Sequence, residues 1–165
     1  MCCLTALAIC SGIKTAVCCD SAIGHVLEQK MVDSVFVDAI RVAGNGDLAA
    51  NPGTYPIAAI CKLHNIPFYV MATLSTVDVS SPSADAFMTE ERSALMLREV
   101  GPGRASTQVV HKSASLINPT FDRTPAQMIT AIITEEGVAM PDASGRFVDS
   151  LREQLQAGRA RSAGH

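Results

Sequence analysis

The sequence has no tryptophan, two tyrosines and five phenylalanines in 165 residues. A single-strand nucleic-acid surface needs aromatic platforms for base stacking, so that class is not expected. Cations are not in excess: 13 Lys and Arg face 16 Asp and Glu, for a formal net charge of -3. Such a balance leaves no electrostatic footprint for nucleic acid. No CxxC spacing is present. The six cysteines stand at 2, 3, 10, 18, 19 and 61, and the four histidines at 25, 64, 111 and 165 are isolated. No zinc pattern and no metal site is expected from them. The cysteines read as buried free thiols of a reducing cytosol, so the expected compartment is cytoplasmic. Met1 to Cys10 is apolar, but no positive segment precedes it and Lys14 interrupts it. That is neither a secretion signal nor a membrane span. Internal repeats are absent.

The residues that are there suffice for one packed domain, since about half are hydrophobic. The chain centres on VFVDAIRVAGNGDLAANPGTY, Val35 to Tyr55. Val35-Phe36-Val37 reads as a buried strand. Gly44-Asn45-Gly46-Asp47 reads as a turn whose residues tolerate left-handed geometry. Asn51-Pro52-Gly53-Thr54 then leads into a helix with Pro56 near its start. Such a loop at the carboxyl end of a parallel strand is where ligands bind in open sheets. A βα connection that needs its glycines only to turn has the same composition.

The flanking chain reads in the same alternation. Leu4 to Ile13 suggests an apolar helix closed by Ser11-Gly12, and Lys14 to Cys19 a strand. Asp20 and Ser21 cap a helix with Ile23, Val26, Leu27 and Met31 on one face. A strand spans Val32 to Val37. The helix from Pro56 turns Ile57, Ile60 and Cys61 inward and stops near Asn65, before Pro67. Phe68 to Ala72 is the next strand. Residues 75–115 are a polar excursion with one or two short strands, in which Glu90-Glu91-Arg92 reads as a solvated charge cluster. Leu116-Ile117 reads as a last strand. Thr124-Pro125-Ala126-Gln127 has the form of a capping box, with Met128, Ile129, Ile132 and Ile133 as the buried stripe of a helix closed by Gly137. Phe147, Val148, Leu151 and Leu155 have helical spacing, and the chain frays from Gly158, carrying Arg159 and Arg161 into solvent. Strands alternating with helices make this an α/β protein with a Rossmann-like open parallel sheet. Residues 1–143 form the main domain, and residues 144–165 a C-terminal helix and tail.

The central stretch resembles the signature loop of the methylthioribose-1-phosphate isomerase family, which reads approximately GADR-[IV]-xANGD-xANKxGTY. Further matches follow in order: Ser75-Thr76-Val77-Asp78, Glu90-Glu91-Arg92-Ser93, Asn118-Pro119-Thr120-Phe121-Asp122, and Thr124 to Glu135. The family is related to the regulatory subunits of translation initiation factor 2B and to ribose-1,5-bisphosphate isomerases. The resemblance implies an aldose–ketose isomerase of methionine salvage. It implies a sugar-phosphate substrate, no cofactor, no nucleic-acid or membrane partner, and a homodimer, and it sets Glu90-Glu91-Arg92 near the site or the dimer interface instead of in solvent. It covers Leu4 to Val138, so the sheet is expected to be truncated at its N-terminal side, with about half of a typical family chain missing.

In the family a cysteine and an aspartate carry the proton, and an Asn-Lys pair helps to hold the phosphate. Here Asp38-Ala39-Ile40-Arg41 stands for GADR, so Ile40 takes the acid's place and no catalytic residue is assigned. Asp38 is a weak substitute, two residues away, which on one strand face means roughly 6–7 Å. The Asn-Lys pair falls on Ala50-Asn51; a shift by one residue matches Asn51 but puts Pro52 at the lysine. The family's cysteine matches no residue of this chain. The substrate-binding candidates that the resemblance leaves are Asn51, Asn45, Asp47, Gly46 and Arg41, with Gly53, Thr54 and Tyr55 shaping the loop. Loss of chemistry with retention of the fold points alternatively to an interaction module, as in the initiation-factor relatives, and a ribose-1,5-bisphosphate isomerase relation is a third reading.

Overall fold

The computed structural model describes residues 10–87, 91–100 and 107–162. In chain order the described elements are α1 (Ile23–Glu28), β1 (Val35–Asp38), β2 (Arg41–Ala43), β3 (Leu48–Ala50), α2 (Thr54–His64), β4 (Phe68–Met71) and β5 (Val77–Asp78). They continue with α3 (Leu95–Arg98), β6 (Glu99–Val100), β7 (Thr107–Gln108), β8 (Asp122–Thr124), β9 (Ala131–Thr134), β10 (Gly137–Ala139) and α4 (Val148–Ser162).

Two four-stranded sheets organise the chain, in the orders β1-β4-β9-β10 and β5-β2-β3-β8. In the first, β1, β4 and β9 run parallel and β10 returns antiparallel. This is the open parallel α/β sheet expected from the alternation of elements. One face of it is the core. Phe68, Val70, Ile132 and Ala139 are buried there, against Leu27 of α1 and Ala58 and Cys61 of α2. The register sets Phe36 beside Tyr69 and Met71 beside Ile133, all on the opposite face. There Phe36 is 56% exposed, Met71 52% and Val138 56%. The Phe36 and Tyr69 rings stack with centroids 5.0 Å apart. The strand expected to be buried, β1, is therefore half exposed: it starts only at Val35, and every second side chain faces outward.

Helix α2 ends as its sequence indicates. Asn65 adopts φ +56°, and the Ile66 N–H reaches back to the Cys61 carbonyl at 2.9 Å. Strand β4 follows at Phe68. Leu151 of α4 is fully buried, confirming the helical spacing around it.

Several expectations are corrected. Thr124 to Ile133 does not form a capped helix. Thr124 ends β8, residues Ala126–Met128 make one 3-10 turn, and Ala131–Thr134 is strand β9, between β4 and β10. All but Ile133 of this strand is buried, and so apolar a run reads the same as a buried helix, since periodicity cannot separate the two. Gly137 opens β10 at φ +134° rather than closing a helix. Residues 14–19 and 116–117 are not strands: neither segment has a ladder partner among the described strands. Residues 10–21 are exposed throughout. Cys10, Cys18 and Cys19 are consequently exposed thiols, and among the described cysteines only Cys61 is buried. Asp20 lies inside a 3-10 turn (Asp20–Ala22) that Cys19 precedes without a side-chain cap, and Met31 lies beyond α1, 66% exposed. Helix α4 does not fray at Gly158 but runs through Ser162. Gly158 lets the helix approach Leu74 closely, and Arg161 pairs with the Glu136 carboxylate at 3.2 Å. The expected helix from Leu4 to Ile13 lies outside the described residues up to Ile9, as does Glu90. Gly12 has the φ of +77° that suits a closing residue.

Candidate functional site

The signature stretch is more than a turn between strand and helix. After Asp38, β1 ends and the chain bends at Ile40, whose N–H donates to the Ala49 carbonyl at 2.9 Å. It then enters the second sheet as the β2–β3 hairpin. The strand geometry that would set Asp38 and Ile40 on one face does not extend across this bend. Asp38 is exposed at the carboxyl end of β1. Ile40, 42% exposed, lines an open cleft of about 490 Å³ with Arg41, Ala49, Phe87, Thr120 and Phe121.

Arg41 is held from two sides. Its guanidinium donates to the Asp78 carboxylate at 2.8 Å and lies 4.7 Å above the centre of the Phe87 ring. Asp78 also accepts from the hydroxyls of Ser80 at 2.5 Å and Ser81 at 2.8 Å. Those hydroxyls, the Ser80 N–H and the Arg41 charge hold its carboxyl well below the usual carboxylate range. The first signature motif and Ser75-Thr76-Val77-Asp78 are thus joined by one ion pair, beside the parallel pairing of β2 with β5.

The hairpin turn is internally committed. The Asn45 side chain accepts from the Asp47 N–H at 2.9 Å. The Asp47 carboxylate accepts from the N–H of Ala126 at 2.8 Å and of Ala84 at 3.4 Å. Gly46 has φ +94°, and a Cβ there would overlap the Phe147 ring. The Asn45 carbonyl accepts from the Phe147 N–H at 3.1 Å. Asn45, Gly46 and Asp47 line neither of the two clefts at the signature stretch.

The second of these clefts, about 340 Å³, opens at the start of α2. Asn51, Gly53, Thr54 and Ile57 line it together with Cys18 and Cys19. The Asp122 carboxylate accepts from the N–H groups of Gly53 at 2.6 Å and Tyr55 at 3.2 Å, so an internal anion already satisfies this helix start. Asn51 takes a long bond, 3.5 Å, from the Arg92 guanidinium. Arg41 and Ile40 therefore share one cleft and Asn51 lines another. Sequence reasoning attached no role to Asp122 or Phe87, and read Arg92 either as solvated charge or, by the family resemblance, as packed near the site or the dimer interface. The signal available for Asp122 and Arg92 was their place inside quoted motifs. Nothing marks Phe87 locally.

Burial pushes the Cys61 thiol above its ordinary value, which makes it inert at neutral pH. Among the described residues no three His, Cys, Asp or Glu converge as a metal cage. No described helix is long and apolar enough to cross a membrane.

Comparison with known proteins matches residues 4–141 to the initiation factor 2 subunit family. A methylthioribose-1-phosphate isomerase of Rhodopirellula baltica is 45% identical over 130 residues, 78% of this chain and 36% of that protein. Methylthioribose-1-phosphate isomerase 2 of Pseudothermotoga lettingae is 39% identical over 145 residues, 88% of this chain and 40% of that one. Among solved structures, 5-methylthioribose 1-phosphate isomerase from Pyrococcus horikoshii superposes with a TM-score of 0.76 at 32% identity, covering 88% of this chain and 38% of that one. The delta subunit of translation initiation factor eIF-2B from A. fulgidus gives 0.76 at 33%, covering 88% and 41%. The chain spans about two fifths of the length of these relatives. With a family match over most of its length and the same fold in two solved relatives, the chain belongs to the initiation factor 2 subunit family.

Proposed function

We propose that this chain has the scaffold of a methylthioribose-1-phosphate isomerase but does not by itself catalyse the aldose–ketose isomerisation of 5-methylthioribose 1-phosphate. The carrying observation is Ile40. The reaction moves a hydrogen between C1 and C2 of the sugar and needs a proton carrier in a pocket poor in water. Ile40 offers hydrocarbon to its cleft, with Phe87 and Phe121 beside it. Asp38 sits before a bend, in a different strand from the Arg41 that follows. General acid–base catalysis contributes roughly 10²–10⁴-fold, and groups that act as a unit lose it together. The expected result is no ketose above the no-protein control when purified chain and substrate are followed by NMR. Ile40→Asp alone is expected to stay inactive, because the family's cysteine partner matches no residue here. Turnover by the wild type, abolished by Asp38→Asn, would make Asp38 the acid and overturn this reading.

A second reading, an assembly module, draws support from the exposed sheet face. Parallel sheets are normally covered on both faces, yet Phe36, Met71 and Val138 are each more than half exposed. Dimers or larger species are expected by light scattering at micromolar concentration, reduced in the Phe36→Ser, Met71→Ser double variant. A wild-type chain that stays monomeric would remove this reading.

A further inference from the structure

Two adjacent thiols stand in a part of the chain that does not bury them. Residues 10–21 are exposed throughout, and Cys18 and Cys19 are both free and exposed. Free cysteine is ordinarily among the most buried residue types, as Cys61 is here. Packing therefore does not account for the pair. Cys18 and Cys19 instead line one cleft, that of about 340 Å³ at the start of α2.

The backbone fixes where the pair stands. Cys19 is extended, at φ −70° and ψ +148°, and its carbonyl accepts from the Ala22 N–H at 2.9 Å. That bond closes the 3-10 turn that leads into α1, and α1 is anchored in the core by Leu27. Ile23, Pro52, Pro56 and Ile57 contribute hydrocarbon to the same cleft. The two sulfurs thus meet a largely apolar lining, which offers few hard oxygen donors to compete with them.

The donor set selects the ligand. Thiolates are soft donors, suited to Cu(I), zinc and iron–sulfur clusters. Structural zinc takes four ligands, and an iron–sulfur cluster takes four cysteines. Among the described residues no three His, Cys, Asp or Glu converge, so neither Asp20 nor a described histidine extends the pair toward such a set. A soft monovalent ion, satisfied by two thiolates, is what remains.

We propose that Cys18 and Cys19 form a two-thiolate site for Cu(I). Each thiol gives up its proton as its sulfur binds the ion, so affinity rises with pH. Both cysteines lie outside every motif quoted for the family, and the assignment does not rest on that resemblance.

The test uses the full chain, reduced and kept free of oxygen, with Cu(I) supplied as its complex with bathocuproine disulfonate. Cys2→Ser with Cys3→Ser removes the other adjacent pair of the sequence. In that background the chain is expected to take one ion, read as loss of the colour of the chelator complex. X-ray absorption should show copper bound by two sulfurs. Cys18→Ser and Cys19→Ser should each weaken binding about hundredfold or more, since even the outer partner of a metal ligand is worth about 10–100-fold. Cys10→Ser, which removes a further exposed thiol, should leave binding unchanged. Cu(I) should protect both thiols from alkylation, and Zn(II) should not. Thermal midpoints of each variant without copper separate loss of a ligand from loss of fold. No transfer of Cu(I), or full retention by a folded Cys18→Ser, Cys19→Ser double variant, would overturn the assignment. So would copper held only between two chains in a dimeric fraction, or Zn(II) that protects both thiols equally well.

Discussion

Gly46→Ala is expected to destabilise the fold by about 3 kcal/mol or more, from backbone strain of about 1–2 kcal/mol at positive φ and overpacking of about 1–3 kcal/mol. Gly46 sits at φ +94° in the β2–β3 turn, and an added Cβ would fall within the Phe147 ring. Phe147 cannot easily yield. It is fully buried, its N–H is held by the Asn45 carbonyl, and its own carbonyl accepts from the Leu151 N–H at 2.9 Å. The ring therefore fastens the start of α4 onto the hairpin turn. Phe147→Ala should itself cost about 3–5 kcal/mol as a large-to-small core change. The informative measurement is the double variant in urea. With the ring gone, Gly46→Ala should cost only its backbone strain, about 1–2 kcal/mol. Strict additivity of the two single effects would show that the ring and the glycine do not meet.

Asp47→Ala has the next largest expected effect. One carboxylate there satisfies backbone donors from two other segments, Ala84 and Ala126, which are 3% and 1% exposed. Removing it strands two buried N–H groups, at about 1–3 kcal/mol each. A total loss near 3 kcal/mol follows, read as a lower urea midpoint with an unchanged slope. Asp47→Asn keeps one acceptor oxygen and should lose roughly half as much. Amide exchange locates the effect: protection of Ala84 and Ala126 should fall further than that of the β4 amides. An exchange pattern lowered uniformly would mean that Asp47 acts on global stability without holding these two segments.

Both effects bear on the site, because the hairpin carries Arg41 and Ile40 on one side and leads through β3 to Asn51 on the other. The turn that Gly46 and Asp47 hold is a scaffold. The side chains left free to meet a ligand stand at its edges. Arg41 is partly spent on Asp78 and Phe87. Arg92 reaches Asn51 from a segment 41 positions further along the chain.

Local chemistry by itself determined a good part of this protein. Asn65 and Pro67 mark the end of α2, the apolar spacing of Phe147, Leu151 and Leu155 marks α4, and Phe68 to Met71 is recognisably a strand. Each is written within one or two turns of chain, in cap geometry or side-chain periodicity. The replacement at position 40 is also legible from sequence, since hydrocarbon cannot carry a proton. The tertiary structure alone decided the rest. Ala131 to Thr134 became a strand because β4 and β10 offered backbone partners on both sides, which outweighs a local pattern compatible with a helix. The role of Gly46 depends on a ring 101 positions away, that of Asp47 on donors 37 and 79 positions away, and that of Asp122 on a helix start 69 positions back. A carboxylate, a glycine or an arginine has the same local signature whether it is solvated or bound, so its function here was set by the distant backbone and side chains that folding brought to it.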